Sequence, residues 1–296
     1  MTRDRIGFIG VGLMGRGMAA NIVAKGWPLT VMAHRNRAPV DALTAKGARE
    51  AASARAVAEA CDIVILCVTG TPQVREIILG AEGLRAAGKP LVVVDCSTSD
   101  PAATIEMAKD LAGDGITLID APLGRTPADA EKGTLDVMLG GGDAIAARVM
   151  PVLETFAGRI VRTGPVGTGH TMKLLNNFLS MGYGALYAEA LALGAKAGVT
   201  PTTFDAVIRG GRMDCGFYQT FFRYVLDRDE NAHQFAIRNG FKDMTYLSNL
   251  ANATGVANPL GAAVRNSYGL AVGLGHGDRY VPMLADIIGE TVANAG

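Results

Sequence analysis

Short apolar runs, separated by segments of helical length, fill the first part of the chain. Near-continuous apolar strands that alternate with helices indicate a parallel sheet buried on both faces. This pattern predicts an α/β domain with a doubly wound parallel sheet over residues 1–164. The predicted strands cover residues 6–9, 29–33, 62–68, 91–95, 116–119, 135–139 and 159–161.

The remainder of the chain has a different pattern, in which apolar residues recur at helical spacing. We therefore expect an all-α C-terminal domain over residues 165–296. Its first helix is about 45 Å long at 1.5 Å per residue. The predicted helices cover about 168–197, 201–209, 214–226, 234–254, 259–273 and 280–293.

The first of these helices carries a row of polar side chains, those of Lys173, Asn176, Asn177 and Ser180. At about 100° per residue these positions fall within a narrow arc, while apolar residues cover the other faces. Polar groups set among so much apolar surface must find partners or lower the stability of the fold. A surface stripe in which Lys173 reaches solvent is the simpler alternative. We favour a row that faces a ligand cavity.

A glycine-rich turn, residues 10–15 with the pattern GxGxxG, joins the first strand to the first helix. Gly10 permits a tight turn, Gly12 lets a pyrophosphate approach the backbone, and Gly15 lets the helix pack closely on the strand. The helix N-terminus supplies amide donors and a positive dipole. Because the turn is the first of the chain and further βα units follow it, we predict a Rossmann-type fold that binds a dinucleotide.

The second strand ends in His34-Arg35-Asn36-Arg37, without the acidic residue that usually binds the ribose hydroxyls of NAD. Arginine binds phosphate oxygens in a bidentate manner, so this end of the strand is better suited to a 2′-phosphate. Ordinary surface arginines at the start of a helix are the alternative. We predict NADP as the cofactor, with NAD possible.

Two further residues follow strand ends, where ligands bind in open α/β sheets. Thr98 comes after the strand at 91–95, just before a helix in which Pro101 occupies the first turn. Arg125 comes after the strand at 116–119 and could hold a small anion or be a solvated loop charge. We interpret both as ligand-facing, although Thr98 could equally belong to a helix cap.

Composition excludes several classes of function. The chain has 28 basic and 28 acidic residues, so no net charge favours nucleic acid or an anionic membrane. No apolar segment is long enough to span a bilayer, and the N-terminus lacks a signal-peptide pattern. The histidines have no metal-ligand spacing. The four cysteines, without CxxC spacing, are interpreted as reduced core residues of a cytoplasmic protein.

Five motifs, in the same order, resemble those of the β-hydroxyacid dehydrogenase family, and the resemblance covers nearly the whole chain. They are Gly10–Gly15 with Met18-Ala19-Ala20-Asn21, Asp95-Cys96-Ser97-Thr98, Asp120-Ala121-Pro122, Gly167-Thr168-Gly169 with Lys173-Leu174-Leu175-Asn176-Asn177, and Lys242-Asp243-Met244.

This resemblance implies separate roles for these residues. Lys173 would be the catalytic residue, supported by Asn177. The residues expected to bind the cofactor are Gly10, Gly12, Leu13, Met14, Gly15, His34, Arg35, Asn36, Val68, Thr98 and Lys242. The residues expected to bind the substrate are Thr98, Arg125, Thr126, Asn176, Asn177, Ser180, Phe235 and Asp243.

The chain departs from most of the family after Pro122, where Gly124-Arg125-Thr126 replaces the usual Ser-Gly-Gly. With Asn176 and Ser180, this triplet resembles the branch that contains sulfolactaldehyde reductase, in which the matching residues hold a sulfonate. By charge, Arg125 suits a carboxylate equally well.

We therefore predict a reversible NADP-dependent reductase of a short anionic aldehyde, either a semialdehyde or a sulfolactaldehyde, with Lys173 as proton donor. Imine reduction and non-catalytic NADP binding are the alternatives. The amount of apolar helix predicts a homo-dimer or homo-tetramer. No nucleic acid, membrane or metal partner is expected.

Overall fold

A computed structural model describes residues 3–293, which divide into two compact units, the first ending at Lys173 and the second beginning at Leu174. The first unit contains the sheet. Within the described residues its strands are β1 Ile6–Ile9, β2 Leu29–Met32, β3 Arg49–Ala51, β4 Ile63–Leu66, β5 Leu91–Asp95, β6 Ile116–Asp120, β7 Leu123–Gly124, β8 Leu135–Gly140 and β9 Ala157–Gly164.

Helices connect most of these strands. The α-helices of the first unit are α1 Gly15–Ala24, α2 Ala38–Thr44, α3 Ala54–Ala60, α4 Thr71–Leu79, α5 Pro101–Ala112, α6 Pro127–Lys132 and α7 Asp143–Leu153, with a 3₁₀ turn at Leu84–Ala87. A further helix, α8 Thr168–Lys196, begins in the first unit and continues into the second.

The strand order is β3-β2-β1-β4-β5-β6-β8-β7, with β9 beside β8. Strands β1 to β6 are parallel, and the buried apolar residues of β1, β4 and β5 explain why these strands lie at the centre. The predicted doubly wound fold is confirmed. The sheet is not wholly parallel, however, because β8 runs antiparallel to β6 and β7.

Two apolar layers cover the faces of the sheet. Phe8, Met18 and Ile22 belong to the cluster on one face. Val64 and Met107 belong to the cluster on the other. Burial on both faces leaves the carboxyl edge of the parallel strands, together with the loops that follow it, as the place where polar side chains accumulate.

In its described residues the second unit consists of helices joined by loops, so the predicted all-α architecture is confirmed. Its helices are α9 Pro201–Ile208, α10 Gly216–Asp227, α11 Ile237–Thr254, α12 Pro259–Gly273 and α13 Leu284–Ala293, with a 3₁₀ turn at Val281–Met283. An aromatic core holds them together, and its largest buried side chains are Tyr218, Phe221, Phe222 and Tyr268. None of the helices in residues 3–293 is long and apolar enough to cross a membrane.

Two local predictions were wrong. Helix α11 was predicted from residue 234 but begins at Ile237, so Phe235 precedes it. Extended backbone pairing accounts for the difference, because Ala236 bridges to Tyr280 and the amide of Val281 donates to the Phe235 carbonyl at 2.9 Å. Cys215 is exposed rather than buried in the core.

Candidate active site

The three glycines of the first turn have different structural requirements. Gly10 has φ +103°, and a Cβ there would collide with the carbonyl of Cys67. A Cβ on Gly15 would collide with the carbonyl of Gly10. At Gly12 a Cβ would meet nothing within 4 Å. The space above Gly12 and the first amides of α1 therefore fit a pyrophosphate, and Leu13 and Met14 lie in the same turn.

His34, Arg35 and Asn36 are exposed at the end of β2. Asn36 Oδ1 accepts a hydrogen bond from the amide of Ala38 at 3.1 Å and so shapes the start of α2. Arg37 donates to Glu50 at 2.9 Å and 3.0 Å. Because Arg37 is engaged in this pair, Arg35 is the arginine of this turn that remains suited to a phosphate.

The turns after β4 and β5 are joined by hydrogen bonds. The amide of Val68 donates to Ser97 Oγ at 3.0 Å. The buried carboxylate of Asp95 accepts from the Ser97 amide at 2.9 Å and from Ser99 Oγ at 2.7 Å. Half-buried Thr98 lies between these two serines. Val68 and Thr98 are thus brought to one edge of the sheet.

Arg125 has an unusual backbone conformation and a carboxylate partner. Its φ of 75° lies in the left-handed region, which is strained for a residue with a Cβ. Its Nε lies 3.0 Å from Asp136 Oδ2 on β8, and this hydrogen bond raises the pKa of Arg125. Asp136 was not predicted from the sequence, because the contact depends on the pairing of Gly124 with Asp136 between β7 and β8.

Thr126 has a structural role in the same loop. Its hydroxyl accepts from the Asp129 amide and its backbone amide donates to Asp129 Oδ2, which forms a capping box at the start of α6. The Thr126 hydroxyl also donates to Asp129 Oδ2. The Thr126 hydroxyl also holds the pKa of Asp129 below its usual range. A direct substrate contact from this hydroxyl would have to compete with the cap.

The start of α8 is fixed by Asp120, at the end of β6. Its two carboxylate oxygens accept hydrogen bonds from the amides of Gly167 and His170, each at 2.7 Å. Burial raises the pKa of Asp120. Lys173 follows on the first turns of this helix and is half-buried.

In the second unit, three polar residues form a cluster. The amide of buried Asn177 donates to Asp243 Oδ2 at 2.6 Å, and Lys242 Nζ lies 2.9 Å from Asp243 Oδ1. The cluster joins α8 to α11. It therefore brings together three predicted site residues, of which Asn177 and Asp243 are 66 positions apart in the sequence.

Of the other predicted residues of this unit, Ser180 contacts the cluster through the backbone carbonyl of Asn177, to which its Oγ donates at 3.5 Å. Asn176 is exposed, and Ser180 Oγ donates to its carbonyl at 3.0 Å within the helix. Phe235 lies near His233, with ring centroids 6.2 Å apart, and burial lowers the pKa of His233 to about 4. Across residues 3–293, no group of three His, Cys, Asp or Glu side chains could hold a metal ion.

Comparisons with protein families cover both units. Residues 5–164 match the family described as the NAD binding domain of 6-phosphogluconate dehydrogenase. Residues 167–283 match the family described as the NAD-binding domain of NADP-dependent 3-hydroxyisobutyrate dehydrogenase.

Individual relatives match over most of their length. A 3-hydroxyisobutyrate dehydrogenase of Pseudomonas aeruginosa is 35% identical over 90% of this chain and 91% of its own. A 3-sulfolactaldehyde reductase of Escherichia coli is 31% identical over 92% and 91%. The crystal structure of a 3-hydroxyisobutyrate dehydrogenase from Salmonella typhimurium has a TM-score of 0.84 at 28% identity, covering 96% of this chain and 99% of that one.

Proposed function

This chain belongs to the β-hydroxyacid dehydrogenase family, and we propose that it is an NADP-dependent oxidoreductase that interconverts a short anionic aldehyde and its hydroxy acid. The observation that carries the proposal is the buried Asn177–Asp243 hydrogen bond, one helical turn beyond Lys173 on α8. Because buried polar groups need hydrogen-bond partners, this pair fixes the Asn177 amide one turn from Lys173.

In the proposed reaction a side chain of this protein supplies the proton and the cofactor supplies the hydride. NADPH, when bound, supplies the hydride to the carbonyl carbon. Lys173 donates a proton to the oxygen as negative charge develops on it, and takes the proton back in the reverse direction. Asn177 steadies the lysine from one turn away. Its own amide is fixed by Asp243, so its position is set before substrate arrives.

The preference for NADP rests on Arg35. It is exposed at the end of β2, and Arg37 beside it is already paired with Glu50. An arginine here binds a 2′-phosphate by charge-assisted hydrogen bonds, whereas the ribose hydroxyls of NAD would find no carboxylate in the turn at 34–37. Parallel titrations with NADPH and NADH test this, and tighter binding of NADH would contradict it.

The anionic end of the substrate is assigned to Arg125, with Asn176 and Ser180 as further polar contacts. The strained backbone of Arg125 supports this assignment, because such strain is often found at ligand-binding positions. Two relatives named for a hydroxy acid and for sulfolactaldehyde support an anionic substrate of either kind. We propose a semialdehyde or a sulfolactaldehyde.

We further propose that the protein forms a homo-dimer or homo-tetramer through α8. Leu179, Leu186 and Leu193, spaced by seven residues, are 58%, 63% and 73% exposed. Three large apolar side chains in one line along a helix are typical of a surface that packs against another protein surface. Sedimentation of the purified protein measures the assembly, and a monomer at micromolar concentration would contradict it.

A single experiment tests the central proposal. Oxidation of NADPH is followed with succinate semialdehyde, methylmalonate semialdehyde, tartronate semialdehyde and sulfolactaldehyde, and with a cyclic imine. We expect turnover of at least one aldehyde and a loss of about 100-fold or more in the Lys173→Ala variant, since a positioned proton donor contributes about 10²–10⁴-fold. Binding of NADPH should remain.

The matched control is Lys196→Ala, which removes an exposed lysine from the far end of the same helix. It should turn over substrate as the unaltered protein does. Near-normal turnover by Lys173→Ala would exclude the proposed acid. Reduction of the imine alone would favour imine reductase activity, and NADPH binding without any turnover would favour a non-catalytic protein.

A further inference from the structure

Three titratable side chains are completely buried where β5, β6 and α8 meet, and the proposed reaction uses none of them directly. Asp95 and Asp120 end adjacent strands and pair in register. His170 lies on the first turn of α8. All three have 0% exposure. Buried carboxylates without compensating charge or hydrogen bonds are strongly unfavourable, so the arrangement must satisfy each of them.

Asp95 organises the turn that presents Thr98. One of its oxygens holds the Ser97 amide and the other holds the Ser99 hydroxyl, so both neighbours of Thr98 are bound to the same carboxylate. Any movement of Asp95 would move Thr98.

Asp120 organises the segment that presents Lys173. It accepts from two amides at the start of α8, Gly167 and His170, and a negative charge there also complements the helix dipole. Lys173 follows His170 by three residues on the same helix. The position of Lys173 relative to the sheet therefore depends on the hydrogen bonds that these two amides donate to Asp120.

His170 lies between the two carboxylates. Its Nε2 is 3.6 Å from Asp95 Oδ2, and its Nδ1 is 3.9 Å from Asp120 Oδ2. These distances are electrostatic contacts rather than hydrogen bonds. The hydrogen-bond partner of the ring is buried Thr104 on α5, whose Oγ1 lies 2.9 Å from Nδ1.

The surroundings of the ring favour one placement of its proton. A bare Nε2 would direct its lone pair at the Asp95 carboxylate, and we therefore assign a proton to Nε2. The Thr104 oxygen is also 3.1 Å from the carbonyl of Asp100, and its one proton serves either that carbonyl or Nδ1. In both cases the N–H on Nε2 faces Asp95 and offsets part of the buried negative charge.

We propose that His170 is a positioning residue that fixes the Thr98 turn and the Lys173 helix relative to each other, by standing between Asp95 and Asp120. This inference rests on the proposed function, in which Lys173 donates the proton, and on the expectation that Thr98 contacts both the cofactor and the substrate. All the contacts that carry it lie within the first unit.

Four variants test the proposal. His170→Leu removes both ring nitrogens, and His170→Gln replaces them with an amide donor and a carbonyl acceptor. Thr104→Val removes only the hydroxyl that binds Nδ1. Thr155→Val is the matched control, because Thr155 is equally buried in the same unit and its hydroxyl bonds only to the Val152 carbonyl, at 2.6 Å.

We expect His170→Leu to lower kcat by about 10- to 100-fold, the effect of misplacing a reacting group by about 1 Å. Thr104→Val should lower kcat to a smaller extent, and His170→Gln should recover most of it. The KM for NADPH should stay within about twofold in all of them, because Thr98 is only one of its expected contacts and the glycine turn and Arg35 lie elsewhere. Thr155→Val should have normal kcat.

Several results would overturn the proposal. If His170→Leu is poorly folded, the comparison of Thr104→Val with Thr155→Val still decides the matter. Unchanged kcat in folded Thr104→Val protein, or equal losses in Thr104→Val and Thr155→Val, would show a general packing role. Lys173→Ala is measured in parallel. If Lys173→Ala is inactive while the His170 variants are normal, only this inference fails; if Lys173→Ala is active, the proposed function fails first.

Discussion

The Asn177–Asp243 hydrogen bond provides the sharpest test of the helical unit. Replacing Asn177 with Ala removes the amide that donates to Asp243 Oδ2 at 2.6 Å, and leaves that oxygen buried without its partner. Both residues are buried, with 5% and 1% exposure, so solvent cannot replace the lost donor easily. We expect the variant to be less stable as well as less active.

The expected magnitude follows from the chemistry of the pair. A hydrogen bond to a charged group contributes about 1.5–3 kcal/mol when its loss leaves that group buried. Alanine recovers up to about 0.7 kcal/mol because it favours the helix more than asparagine does. The free energy of unfolding should therefore fall by about 1–2.5 kcal/mol.

Two spectroscopic signals separate the units in a urea titration. Circular dichroism at helical wavelengths follows all helices, including those of the second unit. Trp27 is the single tryptophan and lies in the first unit, so its fluorescence follows that unit. The loss of stability should be seen in the helical signal. Asn252→Ala, an exposed change on α11, is the control; it should cause no loss of stability and at most the helix-propensity gain of about 0.7 kcal/mol.

A double-mutant cycle with Asp243→Ala then isolates the pair. If the hydrogen bond is the cause, Asn177→Ala should have a much smaller effect once Asp243 is absent, with a coupling of at least about 1 kcal/mol. Additive effects, within about 0.5 kcal/mol, would refute the reasoning.

Four further predictions concern other parts of the molecule. Arg35→Ala should raise the KM for NADPH by about 10- to 100-fold, as loss of a charge-assisted hydrogen bond does, and leave the KM for NADH unchanged. Leu186→Glu should shift the oligomer towards monomer in sedimentation experiments. Asp136→Ala should raise the KM for the anionic aldehyde, because Arg125 loses the carboxylate that orients it. The increase should be up to about fivefold, which corresponds to the free energy of an exposed ion pair. Asp62 has a pKa lowered to about 2 by its hydrogen bond with an arginine, so its stabilising effect is present above about pH 4 and lost as the pH falls towards 2. Denaturant titrations of Asp62→Asn should therefore show a deficit at pH 6 that disappears near pH 2.

Each of these has a clear contrary result. If Arg35→Ala raised the KM for NADH as much as that for NADPH, Arg35 would not bind the 2′-phosphate. If Leu186→Glu left the sedimentation coefficient unchanged, α8 would not form the interface. A lower KM after Asp136→Ala would mean that the carboxylate weakens anion binding rather than orienting Arg125. If Asp62→Asn still lowered the free energy of unfolding at pH 2, the stabilising effect of Asp62 would not depend on its ionisation.

Features with a strong local pattern were predictable from the sequence. The buried strands, the glycine turn and the polar row on α8 depend on spacing within one segment, and periodicity or turn chemistry is sufficient to find them. The edge strands were not found. Residues 49–51 are largely polar, and β7 has only two residues, so neither has a pattern that predicts a strand.

The partners of the predicted side chains could not be read from the sequence. Arg37 belongs to the turn in which a 2′-phosphate was predicted to bind, but it pairs with Glu50 across the β2–β3 connection. Asp136 reaches Arg125 only because of strand pairing. His170 was one helix residue among many, and its place between two carboxylates depends on three elements that meet in the fold. Such contacts are tertiary, and single-segment patterns contain no information about them.

The three glycines of the first turn would therefore respond differently to inherited change. A methyl group at Gly10 or Gly15 collides with backbone carbonyls, so an alanine there should reduce the amount of folded protein and make the phenotype temperature-sensitive. At Gly12 the methyl meets no protein atom within 4 Å and would occupy only the space suited to a pyrophosphate. An alanine at Gly12 should therefore leave the amount of folded protein normal and reduce only the binding of the dinucleotide.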